Sequence, residues 1–147
     1  MFRMKELIPH SGKMSLLDKV LAYGEDWLDA QVEISATTMF CDDGKVPALV
    51  GIEYMAQAIA AYAGKNDKEN NREISIGLLI GTRKYSTNCS FFPVGAVLAI
   101  NVQQIYLEEK GLGVFKCKIT DKDKKILVQA NLNVYHPENV KELLTNE

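Results

Sequence analysis

A nearly continuous apolar segment, VPALVGIEYMAQAIAAYAG at residues 46–64, constrains the fold more than any other feature of the sequence. Apart from Glu53, Gln57 and two tyrosine hydroxyl groups, it holds only apolar residues, Gly and Pro. A helix that is apolar on every side is normally buried in the protein interior. Its many alanines also let neighbouring backbones approach closely. We therefore expect one central helix that is buried all round.

Strand-like patterns surround this helix. The strands are predicted at residues 27–34, 74–85, 96–108, 112–119 and 126–135. The polar segment KNDKENNRE at 65–73 predicts an exposed loop, and PENVKELL near the C-terminus predicts a short amphipathic helix. One helix and one mostly antiparallel sheet bury each other best when the sheet curves around the helix, so the sequence predicts an α+β fold.

Length and composition restrict the class of protein. A chain of 147 residues fits one domain, 1–147, and a net charge of -2 argues against nucleic-acid binding. No apolar run reaches the roughly 20 residues that span a bilayer, and MFRMKELIPH lacks the apolar core of a signal peptide. Three cysteines without a C-x-x-C pair are typical of reduced thiols, and with two histidines they show no metal-ligand spacing. We expect a cytoplasmic protein that binds no metal, membrane or nucleic acid.

Two polar side chains in the apolar segment are candidates for chemistry. Glu53 and Gln57 are four residues apart, so they lie on one face of the helix. A solvated stripe is one explanation, but the neighbouring turns hold no other charged residue before Lys65. A buried carboxylate is costly unless it is paired, and burial favours the protonated form, which can donate a proton. We interpret Glu53 as a catalytic acid, with a structural polar network as the alternative.

The start of the helix and the histidines supply further candidates. Pro47 and Ala48 precede the helix, where backbone N–H groups are unpaired at the positive end of the dipole. They are predicted to hold a carbonyl oxygen as it gains negative charge, although every helix has such an end. Any imidazole base must be His10 or His136, since the chain has no other histidine. Either histidine is also typical of a capping or surface residue.

The quoted motifs resemble a known family. LIPHSGKMSLLDKV, PALVGIEYMAQA and the strands from 76 to 135 follow the order found in the β-hydroxyacyl-acyl-carrier-protein dehydratases of the hotdog superfamily. The similarity covers nearly the whole chain and is closest to the dehydratase-like proteins of aryl-polyene and fatty-acid-like pathways. It implies a hotdog fold, in which a long central helix is wrapped by a curved sheet. It also implies a dimer of edge-to-edge sheets, with the acyl chain in a tunnel at the interface.

The resemblance also implies a reaction. The helix glutamate, here Glu53, protonates the leaving 3-hydroxyl group while a histidine removes the C2 proton, which gives a trans-2-enoyl thioester and water. Gln57 takes the place of an amide that hydrogen-bonds within the site. Ala48 stands where the family has a glycine whose N–H polarises the thioester carbonyl. The resemblance implies no cofactor, and it implies that the substrate is carried on the phosphopantetheine of an acyl carrier protein.

One departure from the family pattern concerns the base. The family's catalytic histidine lies in a Gly-His-Phe-Pro segment, and the corresponding stretch here, TTMFCDDGKVP, contains no histidine. We favour His10 as the base because the LIPH segment is well preserved. Two alternatives stay open: the chain is a degenerate partner of an active subunit, or Asp42 or Asp43 serves another reaction.

Partners and competing functions follow from the same resemblance. An acidic carrier protein would dock on cations near the tunnel, for which Arg83 and Lys84 are the first candidates and Lys116 and Lys118 the second. A solvated positive edge is the alternative explanation. The predicted function is a 3-hydroxyacyl-[acyl-carrier-protein] dehydratase, as a homodimer or a heteromer with a second hotdog subunit. An acyl thioesterase and a non-catalytic hotdog subunit are the alternatives.

Overall fold

The computed structural model describes residues 16–69, 78–108 and 111–135. Within these ranges one long helix follows a short 3₁₀ turn, and the remaining elements are strands. The strands are β1 (Lys19–Tyr23), β2 (Trp27–Glu33), β3 (Lys45–Pro47), β4 (Leu78–Thr87), β5 (Phe91–Pro93), β6 (Val97–Leu107), β7 (Leu112–Thr120) and β8 (Ile126–Tyr135). The 3₁₀ turn is Ala48–Val50, and it leads directly into helix α1, Gly51–Glu69.

Six of the strands form one antiparallel sheet in the order β1-β2-β6-β7-β8-β4. The short strands β3 and β5 pair in a separate ribbon. Helix α1 packs against β2, β6, β7 and β8, and the hydrophobic core lies between this helix and the sheet. The predicted α+β arrangement, one long helix against a mostly antiparallel sheet, is confirmed.

The strands show why a period-two pattern places the core on one face. In β7, Phe115, Cys117 and Ile119 are buried, whereas Lys116 and Lys118 are exposed on the opposite face. The two lysines therefore share one face of the strand. Burial raises the pKa of the Cys117 thiol from 9.0 to about 12, because the thiolate would lose its hydration.

The second half of α1 is attached to the turn between β1 and β2. Lys65 is only 2% exposed, and its Nζ donates to the Gly24 carbonyl at 2.8 Å. Tyr62 lies beside it, with its Oη donating to the Glu25 carbonyl at 2.8 Å. The prediction of an exposed loop at 65–73 is therefore wrong for residues 65–69, which are helical; the rest of that segment lies outside the described residues. The helix continues beyond its apolar segment because these two long side chains donate hydrogen bonds to carbonyl groups of the β1–β2 turn.

The prediction that α1 is buried on every side is wrong for the single chain. Glu53 is exposed, and Ile52, Ala56, Ala60 and Ala63 are half-buried. The sheet packs against one side of the helix and leaves this side open. Small side chains on the open side mark it as a surface on which another chain can pack closely.

Candidate functional site

The N-terminal end of α1 is built from a strand, a tight turn and the first helical turn. Pro47 ends β3 opposite Phe91 of β5, in an extended conformation with φ -56° and ψ 139°. This conformation, which proline favours, leads the chain into the 3₁₀ turn. Gly51 then begins the α-helix, and a Cβ added there would lie 2.9 Å from Cδ1 of Ile119, so that this side chain would have to shift. The turn is therefore packed tightly against the sheet.

The Ala48 peptide is held on both sides. Its N–H donates to the Ser90 carbonyl at 3.1 Å, and its carbonyl accepts from the Tyr85 hydroxyl at 2.5 Å. The Ala48 N–H, predicted to bind the thioester carbonyl, is thus engaged in this structure, and Pro47 has no N–H to offer. The next two N–H groups, of Leu49 and Val50, belong to the first turn, where no carbonyl lies one helical turn earlier. Substrate binding by Pro47 and Ala48 stays a prediction.

Glu53 lies in the first turn of α1, where the helix dipole favours a negative charge. Its side chain is exposed, and no described residue donates a hydrogen bond to it. The carboxylate is therefore available to a ligand or to another protein surface. A role for Glu53 as a catalytic acid requires that its side chain be shielded from water. The described part of this chain does not supply that shielding.

Gln57 has the opposite environment, although it is only one turn further along. It is 3% exposed, and its Oε1 accepts from the Leu16 N–H at 2.7 Å. This contact binds the chain just before β1 to the middle of the helix. The amide oxygen of Gln57 thus has a structural role, and its predicted participation in the site is not tested by this contact.

Three exposed apolar side chains, here called the apolar rim, lie in the 3₁₀ turn and in or directly after β5: Leu49, Phe91 and Val94. Leu49 is 67% exposed. Phe91 is opposite Pro47 in the β3–β5 ribbon, and the Lys45 Nζ lies over its ring, 4.9 Å from the centroid. Contiguous exposed apolar groups are typical of a surface that another molecule covers.

Tyr54 follows Glu53 but faces the interior. It is 0% exposed, its ring packs against Phe92 with 6.2 Å between centroids, and its hydroxyl has no hydrogen-bond partner in the described part of the chain. Burial, followed by the negative charges of Asp18 and Cys41, raises the pKa of Tyr54 to about 12. The sequence predictions missed this residue, since its apolar neighbours gave no sign that the hydroxyl would lack a partner.

The predicted cations lie on the sheet face that points away from α1. Arg83 in β4 is opposite Asn131 in β8, which is itself opposite Lys116 in β7. Arg83 and Lys116 are both exposed and share one row across the sheet, two strands apart. Lys84 is exposed beside them at a backbone irregularity with φ 55°. Their role in carrier-protein binding stays a prediction.

The predicted imidazole base cannot be located here, because His10 and His136 both lie outside the described residues. Among the described residues, no three His, Cys, Asp or Glu side chains are arranged to hold a metal ion. The cysteines Cys41, Cys89 and Cys117 are free thiols. No helix in the described ranges is long and apolar enough to cross a membrane.

Comparison with known proteins decides the family. The model of the ApeP-like family, described as ApeP dehydratase, matches residues 2–145. The chain belongs to the ApeP-like dehydratase family. A solved structure of the dehydratase heterocomplex ApeI:P from Xenorhabdus doucetiae is similar to it at 31% identity and a TM-score of 0.89. That match covers 99% of this chain and 97% of the other, and it confirms the resemblance to dehydratase-like hotdog proteins.

More distant structures share the fold of this ApeP-like chain. Cj0977 from Campylobacter jejuni, a sigma28-regulated virulence protein, is 12% identical with a TM-score of 0.70, over 93% of this chain and 98% of the other. The PaaI protein of E. coli is 11% identical with a TM-score of 0.62, over 79% and 80% of the two chains. No curated protein matches the sequence. At these identities the likeness shows the hotdog fold alone.

Proposed function

We propose that this chain is a subunit of a 3-hydroxyacyl-[acyl-carrier-protein] dehydratase, which eliminates water to give a trans-2-enoyl thioester. The observation that carries the proposal is Glu53, an exposed carboxylate in the first turn of the central helix of a dehydratase-family chain. The acyl group would be carried on the phosphopantetheine of an acyl carrier protein. With free thiols in all three cysteines, we also propose a cytoplasmic location.

The proposed elimination needs one base and one acid. The thioester acidifies the C2–H bond, and His10 is the proposed base that removes this proton. The freed electron pair forms the C2–C3 double bond as the C3–O bond breaks, and Glu53 gives its proton to the leaving hydroxyl group, which departs as water. Because the Ala48 N–H is bonded to the Ser90 carbonyl, the proposal assigns the stabilisation of the negative charge on the thioester oxygen to the N–H groups of Leu49 and Val50. Because an acid and a base suffice, the proposal invokes no metal or redox cofactor.

The exposure of Glu53 supports a second subunit as part of the site. Carboxyl groups in bulk water are ionised at neutral pH and so hold no proton to donate. A surface that covers the apolar rim would exclude water from Glu53 and favour its protonated form. We propose that this surface belongs to a second hotdog subunit. The similarity to a protein solved as part of the dehydratase heterocomplex ApeI:P supports a heteromer over a homodimer.

A second candidate function is a non-catalytic subunit that stabilises an active partner. It is favoured by the same exposure of Glu53, together with the structural bond between the Gln57 amide oxygen and Leu16. A thioesterase is the remaining alternative from the sequence, and the structural similarity to thioesterases supports it only at the level of fold.

Product analysis separates these functions. The chain is purified alone and together with a second hotdog subunit, and each preparation is incubated with 3-hydroxyacyl- and acyl-carrier-protein thioesters. Intact-mass measurement then follows the carrier. Loss of one water from the 3-hydroxyacyl thioester supports the dehydratase, and release of free acid supports the thioesterase.

Matched variants test the two proposed catalytic residues. Glu53→Gln keeps the size of the side chain but removes the acid, so turnover should fall by about 10²–10⁴-fold. Glu69→Gln, on the same helix, should leave turnover unchanged. His10→Ala should lower turnover on the same scale, with His136→Ala as its control. If Glu53→Gln retains full activity in the active complex, this chain is the non-catalytic subunit.

The cationic row is tested through the carrier rather than the acyl group. Arg83→Glu and Lys116→Glu should each raise KM for the carrier-bound substrate, because they place a negative charge against an acidic protein. The same variants should leave KM unchanged for a pantetheine thioester without the carrier. Equal effects on both substrates would contradict a docking role.

A further inference from the structure

A bulge in β4 places one tyrosine where a regular strand would not. β4 pairs with β8 in regular register from Gly81 to Arg83 and again from Ser86. The two residues between them, Lys84 and Tyr85, therefore stand opposite the single residue Ala130. The backbone of Lys84 adopts a left-handed conformation at this irregularity, with φ 55°. Bulges of this kind redirect a side chain, and they frequently occur beside functional sites.

The redirected side chain reaches the start of α1. Tyr85 is half-buried, and its hydroxyl donates to the Ala48 carbonyl at 2.5 Å. Burial, with a smaller effect of the Cys89 thiolate, raises the pKa of Tyr85 to about 12. The phenol thus keeps its proton and remains a hydrogen-bond donor throughout the neutral range.

Tyr85 completes the attachment of the turn to the sheet. On one side the Ala48 N–H is held by the Ser90 carbonyl, and on the other the Ala48 carbonyl is held by Tyr85. The packing is tight, because a Cβ on Gly51 would lie 3.2 Å from the Tyr85 hydroxyl oxygen. Glu53 lies two residues after Gly51 in the first turn of α1. The position of Glu53 relative to the sheet therefore depends on how Tyr85 holds this turn.

We propose that Tyr85 is a positioning residue for the Glu53 site. It acts by fixing the Ala48 carbonyl, and with it the N–H groups and the carboxylate of the first turn of α1. This inference rests on the proposed dehydratase function and deepens it. It also makes a structural claim about the turn that can be tested without any activity.

Tyr85→Phe removes only the hydroxyl group, and Tyr62→Phe is its matched control. Tyr62 also donates from its hydroxyl to a backbone carbonyl, that of Glu25, but at the other half of α1. In the active complex, Tyr85→Phe should lower kcat by about tenfold, the equivalent of one lost hydrogen bond, with KM within about twofold. Tyr62→Phe should leave kcat unchanged.

Amide hydrogen exchange supplies the second readout. In Tyr85→Phe, exchange should rise by about tenfold for the amides of residues 48–54, while in Tyr62→Phe these amides should exchange as in the unmodified protein. An unchanged exchange rate in Tyr85→Phe, or an equal loss of kcat in both variants, would overturn the positioning role. If the unmodified complex shows no dehydration, the proposed function fails, and the exchange measurement still decides whether Tyr85 holds the turn.

Discussion

The buried hydroxyl of Tyr54 makes a direct prediction about stability. The side chain is 0% exposed, and no described residue lies within hydrogen-bond distance of its oxygen. Tyr54→Phe keeps the ring and its contact with Phe92 and removes only the unsatisfied oxygen. We therefore expect this variant to be more stable than the unmodified protein.

The size of the effect follows from the cost of a buried polar group. An unsatisfied buried hydroxyl typically costs about 1–3 kcal/mol, and partial relaxation of the site brings the expected gain to about 1 kcal/mol. For a chain of 147 residues, the unfolding entropy is about 0.3 kcal/mol/K. The melting temperature should therefore rise by about 3 °C.

Urea unfolding, followed by the fluorescence of the single tryptophan, Trp27, measures the change in the free energy of unfolding. Tyr62→Phe is the matched control on the same helix, because its hydroxyl donates to the Glu25 carbonyl at 2.8 Å. That variant should lose about 1 kcal/mol. If Tyr54→Phe is destabilised as much as Tyr62→Phe, the Tyr54 hydroxyl has a partner such as a buried water, and the reasoning is refuted.

Three further variants test other contacts by the same unfolding assay. Lys65→Ala removes the donor to the β1–β2 turn and should lower the free energy of unfolding by about 2 kcal/mol. Its control is Glu69→Ala, which removes the exposed ion-pair partner of Lys65 and should lower it by under about 0.5 kcal/mol. Equal losses would contradict the role of the turn contact. Gly51→Ala should cost about 1–3 kcal/mol through overpacking, while Gly81→Ala, where a Cβ meets nothing within 4 Å, should be nearly neutral. Because the Cys117 thiol ionises at a lower pH in the unfolded chain than in the folded one, the free energy of unfolding should fall as pH rises from 9.0 toward about 12. Cys117→Ala should weaken that fall, and an unchanged pH profile would show that the thiol does not cause it.

Much of the sheet was predictable because its pattern is local. The predicted strands at 96–108, 112–119 and 126–135 agree within one residue at each end with β6, β7 and β8. The strands β1, β3 and β5 were missed, since segments of five, three and three residues are too short to show a period of two. The helix was predicted to end near residue 64 because the following residues are polar, yet it continues to Glu69.

The candidate site was only partly predictable. Glu53 and Gln57 stand out in the sequence as polar residues in an apolar helix, but their opposite exposures depend on tertiary packing. Gln57, for example, is bonded to Leu16, which is 41 residues away. Tyr85 was missed altogether, because nothing local distinguishes it. Its contact with Ala48 joins residues 37 apart and depends on a bulge in the pairing of two strands.

By itself the sequence determined the class of fold, the central helix, most of the strands and the resemblance to dehydratase-like hotdog proteins. The fold class, the helix and the strands follow from composition and periodicity, which each segment carries locally, whereas the resemblance follows from the order of the quoted motifs. The tertiary structure alone decided which side of α1 is covered, which N–H groups at its start are already bonded, and that Tyr85 reaches them. The physical reason is that burial and hydrogen-bond partners are set by strand register and packing between distant segments, which no local pattern encodes.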